Sequence, residues 1–346
     1  MKNYSQRPIV CGGVLVLLTL VAYLPALVRG GSEWGDDFSV AGDAVVSSTD
    51  GLVQIWTPPP ETREFHPVVP TMLWAEYQLW GANPFGYHFV NALLHAINAL
   101  LLWRLLAGLN VRGAWLAAAF WALHPACVEQ APLAEERTNA MAGALYLAAA
   151  IAYVEFWMWG GRSRRWVSYT MAFGWFVGAL LCKSVTWTLP VALLLILWWK
   201  RGRVPGRDAW HMTPFGFIAV ALGFTTTWIG QGRAMVLSAT QTVWQDPLGF
   251  FRGWWPAVVA AWWQWALPGA LIVLLVSLWL LRNRIGRGPV TAALVLVVSM
   301  GPALGVINIF PFEYTLVASR FHFLTSVALV ALLATRLPRW GLAPLL

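Results

Sequence analysis

Two adjacent carboxylates, Asp36 and Asp37 in the string WGDDF, are the residues best suited to acid–base work. In a group transfer to a hydroxyl, a carboxylate must accept the acceptor's proton as attack proceeds. The same pair suits a divalent metal, and a solvated acidic turn would carry the same letters. A second set, His88, Asn91, His95 and Asn98, recurs at intervals of 3, 4 and 3 and so shares one helical face. For the deep Asn98 that face reads first as interhelical hydrogen bonding. His88 is nearest the outer end and is the better site candidate. A third set lies in LHPACVEQAPLAEERTN (123–139), which supplies His124, Glu129, Glu135, Glu136 and Arg137 in one short turn shaped by Pro125 and Pro132. Two further cations stand apart, Lys183 in LLCKSVTWTLP and Arg320 in EYTLVASRFHF, the latter with Glu313 and His322 nearby. Lysine offers an anion a point charge and arginine a bidentate fork. Snorkelling for Lys183 and an ion pair with Glu313 for Arg320 are the structural alternatives.

These residues are scarce polar points in an apolar chain. Of 346 residues, 59% are hydrophobic and 11% charged, which excludes a disordered chain and a soluble domain. Three cysteines (Cys11, Cys127, Cys182) make no disulfide framework, and a buried, inert thiol is the reading for Cys127 and Cys182. Positioning therefore falls to membrane helices, each needing about 20 apolar residues. Ten stretches qualify: 8–28, 86–107, 113–126, 138–159, 166–182, 184–199, 213–230, 254–281, 290–307 and 320–336. The expected fold class is an all-α polytopic bundle of about ten transmembrane helices, forming a single membrane domain over 1–346. The first stretch follows Lys2 and Arg7 and reads as a retained anchor.

With the N-terminus inside, Lys2, Arg7, Arg104, Arg112, Arg162, Arg164, Arg165, Lys200, Arg201, Arg203, Arg207, Arg282, Arg284, Arg287, Arg336 and Arg339 all fall in cytoplasmic segments, against only Glu155 and Asp208. That is the positive-inside pattern, so the net charge of +8 needs no nucleic-acid partner. It implies a multi-pass inner-membrane protein with both termini cytoplasmic. Trp157, Trp159, Trp166, Trp198 and Trp199 bracket two of the basic loops, where an aromatic belt sits. Residues 29–85 form a long acidic outer loop after the first span. Within it, VVPTMLWAEYQLW (68–80) predicts an amphipathic helix at the interface.

The string EYQLWGANPFGYHFVNALLHAINALLLWRLL (76–106) resembles the second-span region of the transmembrane and tetratricopeptide-repeat O-mannosyltransferases and their bacterial relatives, members of the GT-C superfamily. WGDDF resembles that family's first-loop acidic pair. LHPACVEQAPLAEERTN, LLCKSVTWTLPVALLL (180–195) and NIFPFEYTLVASRFHFL (308–324) are similar, in order, to three further family segments. The resemblance spans about residues 34 to 330. Where the family has a Trp before its Glu-Arg pair and a Lys after it, this chain has Leu133 and Thr138. The Asp expected beside Arg320 is replaced in the triplet Ala318, Ser319, Arg320. No repeat array of the family's kind lies within these residues.

The resemblance implies transfer of a sugar, mannose for example, from a polyprenyl-phosphate carrier to a hydroxyl of a protein or glycan acceptor on the outer membrane face. It implies Asp36 and Asp37 as the catalytic pair, with Asp36 the base. Arg137, Lys183 and Arg320 would hold the phosphate and stabilise its charge as it leaves. His88, His124, Glu129 and Glu136 would shape the substrate site. A divalent metal, if one takes part, would fall to the acidic pair; no other cofactor is implied. The competing reading is a non-enzymatic membrane protein, either a lipid-carrier transporter or a scaffold that keeps the fold.

Overall fold

The computed structural model describes residues 7–29, 44–57, 65–81, 83–124, 134–158, 162–222 and 266–300. All regular structure among them is helical. α1 (Arg7–Arg29) is followed by two short helices, α2 (Ala44–Ser47) and α3 (Gly51–Trp56), and by α4 (Val68–Trp80). Next come α5 (Pro84–Gly108), α6 (Ala114–Leu123), α7 (Ala134–Met158) and α8 (Arg162–Cys182). A 3-10 turn (Ser184–Thr188) leads into α9 (Leu189–Arg201), then α10 (Gly206–His211), a helical stretch over 213–222, α11 (Ala266–Ile285) and α12 (Arg287–Met300).

Three helices among the described residues are long and apolar enough to cross a bilayer: Pro8–Pro25 in α1, Pro84–Gly108 in α5 and Arg137–Met158 in α7. Ala114–Leu123 and Arg287–Ser299 are shorter apolar helices. The chain is a helical, multi-pass membrane protein. The expected stretch 184–199 is not one uniform helix. Lys183 stands in extended backbone before the 3-10 turn, and Pro190 sits in the first turn of α9, where its missing N–H costs nothing. At about 2.0 Å per 3-10 residue and 1.5 Å per α residue, turn plus α9 reach about 30 Å, a full hydrocarbon thickness. α6 has only 10 residues and reaches roughly half that, because His124 already leaves helical geometry. The stretch 320–336 lies outside the described residues, as do parts of 213–230, 254–281 and 290–307.

The core is built where α5, α6, α7 and α8 meet. Leu102, Ala118, Trp121, Leu147, Tyr153 and Phe176 are fully buried there, and Leu15 reaches in from α1. Small residues let backbones approach: Ala99, Ala117, Ala118, Ala149 and Ala172 line the contacts. Phe215, from the stretch after α10, inserts its ring among Tyr153, Tyr169, Phe173 and Phe176. Apolar residues also cover the outside: Ile9, Leu17, Val21, Val273 and Leu280 are all exposed. An apolar exterior over an apolar core is what a lipid solvent selects.

The helix ends sort by charge. One end gathers the basic residues. Arg104 pairs with Glu155 at 2.6 Å, Lys200 donates to the Leu109 carbonyl, and Arg201 lies 4.6 Å above the Trp157 ring. Lys200 stands 4.0 Å over Trp199, and Trp198 stacks on Trp279 at 5.5 Å. The opposite end holds α4, the start of α5, the start of α7 and the turn at Lys183. Asn83 caps α5 by accepting the Phe85 N–H, and Pro84 fills its first turn. Gly86 is required there, since a Cβ would fall 2.3 Å from the Trp80 ring. α4 is tied to the preceding short helices by two indoles. Trp74 Nε1 donates to the Ser48 carbonyl at 2.8 Å, and Trp56 Nε1 donates to Thr71 Oγ1 at 3.0 Å.

Candidate active site at the end opposite the basic loops

Glu76 stands on α4 with apolar residues around it in sequence, and the fold buries it to 4% exposure. A carboxylate can be left there only with a partner. That partner is Arg137, from the first turn of α7, itself 1% exposed. The guanidinium spends all three of its nitrogens inward. NH1 donates to Glu76 Oε1, Nε to Asn91 Oδ1 on α5, and NH2 to the Tyr87 carbonyl at 2.8 Å. One cation thus fastens α4, α5 and α7 together. The other oxygen, Glu76 Oε2, is buried with no hydrogen-bond partner among the described residues. Burial pushes the Glu76 carboxyl above the ordinary carboxylate range, and the hydrogen bond and charge of Arg137 draw it back only in part.

A second polar contact lies at the same end. Lys183 Nζ donates to Asn139 Oδ1, joining the α8 terminus to α7. Asn139 is 6% exposed, whereas Lys183 is only half-buried. Asn139 is two residues beyond Arg137. On a helix that offset turns the two side chains to different sides, so α7 grips α4 and α5 with one and the Lys183 turn with the other.

The polar stripe of α5 resolves residue by residue. Asn91 receives Arg137. His88 is 4% exposed. His95 is enclosed, with Nε2 3.2 Å from the Ala122 carbonyl and its ring stacked on Trp121 at 4.5 Å. Asn98 Nδ2 donates to the Leu94 carbonyl at 2.9 Å and across to the Ala140 carbonyl of α7 at 2.7 Å. The interhelical reading of Asn98 is therefore the observed one. His124, at the end of α6, is exposed and meets Phe120 edge-on at 5.5 Å.

Of the residues expected at the site, the structure brings Arg137, carried by α7, and Lys183, bonded to Asn139 of α7, to one end, and places His88 one helical turn before Asn91. Glu136 belongs to the first turn of α7, but its side chain is outside the description, as is that of Glu135. Asp36, Asp37, Glu129 and Arg320 lie outside the described residues, with Glu313 and His322. Among the described residues no three His, Cys, Asp or Glu side chains converge as a metal site. Glu76 and Asn139 escaped the sequence reading. The signal for Glu76 was a lone acid on the apolar side of an amphipathic helix, which demands a buried cation. Asn139 gave none beyond its nearness to Arg137.

Comparison with known proteins points one way. Residues 60–229 match the family model described as dolichyl-phosphate-mannose-protein mannosyltransferase. A protein O-mannosyl-transferase of Caenorhabditis elegans is 25% identical over 156 residues, covering 41% of this chain and 22% of the relative. Protein O-mannosyl-transferase TMTC2 of Mus musculus is 29% identical over 129 residues, 36% of this chain and 15% of the relative. The chain thus spans less than a quarter of the length of the curated relatives it matches. No solved structure matches it. The family match, which contains α4 to α9 with Glu76, Arg137 and Lys183, and the two relatives agree that this helical membrane protein is similar to the protein O-mannosyltransferases.

Proposed function

We propose that the chain is a glycosyltransferase that moves a hexose, mannose first among candidates, from a polyprenyl-phosphate carrier to a hydroxyl acceptor at the outer face of the membrane. The observation that supports this reading most is the family match over 60–229, which contains the polar end of the bundle. The acceptor is a protein or glycan hydroxyl. Ten spans and an inside placement of both termini belong to the same proposal, as do the roles given to Asp36, Asp37 and Arg320.

In the proposed reaction the acceptor oxygen attacks the anomeric carbon, and its proton passes to Asp36, with Asp37 beside it. The bond from that carbon to the phosphate oxygen breaks, and the electron pair leaves with the phosphate. Lys183 and Arg320 stabilise the charge that gathers there. Lys183 suits that task because its head is half-buried and steered by Asn139. Arg137 supports the site by holding α4 and α5 in place, since gripping phosphate would cost it one of three buried hydrogen bonds. His88, His124, Glu129 and Glu136 complete the substrate walls.

The test is transfer by the purified full chain from a polyprenyl-phosphate mannose to hydroxyl acceptors, with Asp36→Asn compared alongside. Transfer by the native chain and none by a normally inserted Asp36→Asn protein is expected. Full activity in Asp36→Asn would overturn the base assignment. No transfer from any polyprenyl-phosphate hexose would favour the scaffold or carrier-transport reading.

A further inference from the structure

The basic end of the bundle holds a cluster that the proposed chemistry does not use. Tyr169 on α8 donates its hydroxyl to the His211 carbonyl at 2.9 Å, which folds α10 back against α7 and α8. The His211 ring then packs on Phe156 at 5.2 Å, Trp166 at 6.0 Å and Tyr169 at 6.1 Å. Arg165 lies 4.5 Å over the other partner of that packing, Phe156. Arg201 lies over Trp157 and bonds Asp208 at 2.6 Å. Three cations therefore meet one carboxylate, and Arg201 takes it. Neither Arg165 nor Arg207 has an ion-pair partner among the described residues. Three nitrogens in the cluster are also buried without a hydrogen-bond acceptor or donor among the described residues: Arg165 Nε, Trp157 Nε1 and His211 Nδ1. Two of those are obligate donors. The surroundings are apolar and open. Trp210 is 74% exposed, and Trp166, Val167, Phe217 and Val220 are also exposed.

We propose that this cluster is a binding site for the phosphate of an anionic glycerophospholipid, held by Arg165 and Arg207 beside the Arg201–Asp208 pair, with the lipid's chains against Trp166, Trp210 and Phe217. The charge left over calls for an anion, and the donors lacking acceptors call for oxygen. The exposed rings call for hydrocarbon within a few ångströms of that anion. A soluble anion meets the first two demands only, and an acidic peptide leaves the rings uncovered. His211 reports the same excess: besides burial, the charges of Arg207 and Arg165 hold its proton affinity below that of an ordinary histidine, and Asp208 offsets them only in part. The site lies at the opposite end of the bundle from Lys183, so it does not depend on the glycosyltransferase reading.

The experiment uses the full chain purified in detergent and mixed with phosphatidylcholine alone or with added phosphatidylglycerol. The readouts are the phosphatidylglycerol retained after washing and the apparent Tm. Selective retention and a raised Tm are expected for the native chain. One arginine near an anionic headgroup is worth about 1 kcal/mol, so Arg207→Gln, an exposed change that spares the fold, lowers retention about fivefold. Arg165→Gln/Arg207→Gln lowers it further. Arg112→Gln, an exposed cation at the same end but outside the cluster, leaves it unchanged. Equal retention of both lipids, or an equal loss with Arg112→Gln, would overturn the site. Equal stabilisation by inorganic phosphate or by polyglutamate would overturn the lipid assignment.

Discussion

Breaking the Glu76–Arg137 pair should cost more than any other single polar change in the described structure. Replacing Glu76 with Leu leaves a full guanidinium charge in a place 1% exposed, with Asn91 and the Tyr87 carbonyl as its remaining acceptors among the described residues. Removing one partner of a buried pair costs about 3–5 kcal/mol. In a domain of this size that is a fall in apparent Tm on the order of 5–15 °C. Arg137→Met should cost a similar amount, because Glu76 then keeps a buried carboxylate with no cation. The apolar double variant Glu76→Leu/Arg137→Met should recover most of the loss, since a buried pair is worth little against well-packed apolar side chains. The double-mutant cycle isolates the coupling. A thiol-reactive dye gives the assay, because Cys182 is fully buried and becomes reactive only as the helices part. Single variants that melt within a degree of the native chain would refute the reasoning. So would a double variant that loses the sum of the two single effects.

Lys183→Met should lower the rate of glycosyl transfer about a hundredfold or more with little change in Tm, the size expected for a lost donor to developing charge; a steady-state assay on the proposed donor checks it. Gly86→Ala should destabilise the junction of α4 and α5 by about 1–3 kcal/mol, because the new methyl meets the Trp80 ring; Trp80→Ala in the same chain should relieve part of that loss, read as apparent Tm. The depressed proton affinity of His211 makes the folded state the weaker proton binder. Its contribution is therefore complete above the ordinary histidine value near 6.5 and declines as pH falls below it. A melting series from pH 8 to 5 should show this decline, and His211→Gln should flatten it.

How far the sequence could be read depended on which signal each element carried. α4 was predicted over 68–80 and occurs there, because its apolar spacing and the turn at Gly81 set both ends. α1, α5 and α8 were legible from continuous apolar runs. The stretch 184–199 was legible as apolar but not as a 3-10 turn followed by a helix, because hydropathy does not register backbone geometry. At the site, the helical face of His88, Asn91, His95 and Asn98 was legible from spacing alone. Which of them bonds another helix was not, since that depends on the partner's register. The partnership of Glu76 and Arg137, 61 residues apart, is a tertiary fact that no local pattern holds.

Among the described residues, α1 touches the rest of the bundle along a narrow seam. Leu15 enters the core, Tyr23 meets the His95 ring at 5.0 Å, and the Cys11 carbonyl accepts the Trp115 indole N–H at 3.0 Å. The rest of its circumference is apolar and open. Such a helix is at ease in lipid before any neighbour exists, so it can be inserted first and wait there while later segments are made. The seam closes only when α5 and α6 arrive, and Trp115, supplied from α6 about a hundred residues later, makes the latch. Biogenesis of the bundle is then a docking of later helices onto an early, self-sufficient one, with the completion of α6 as the step that fixes α1 in place.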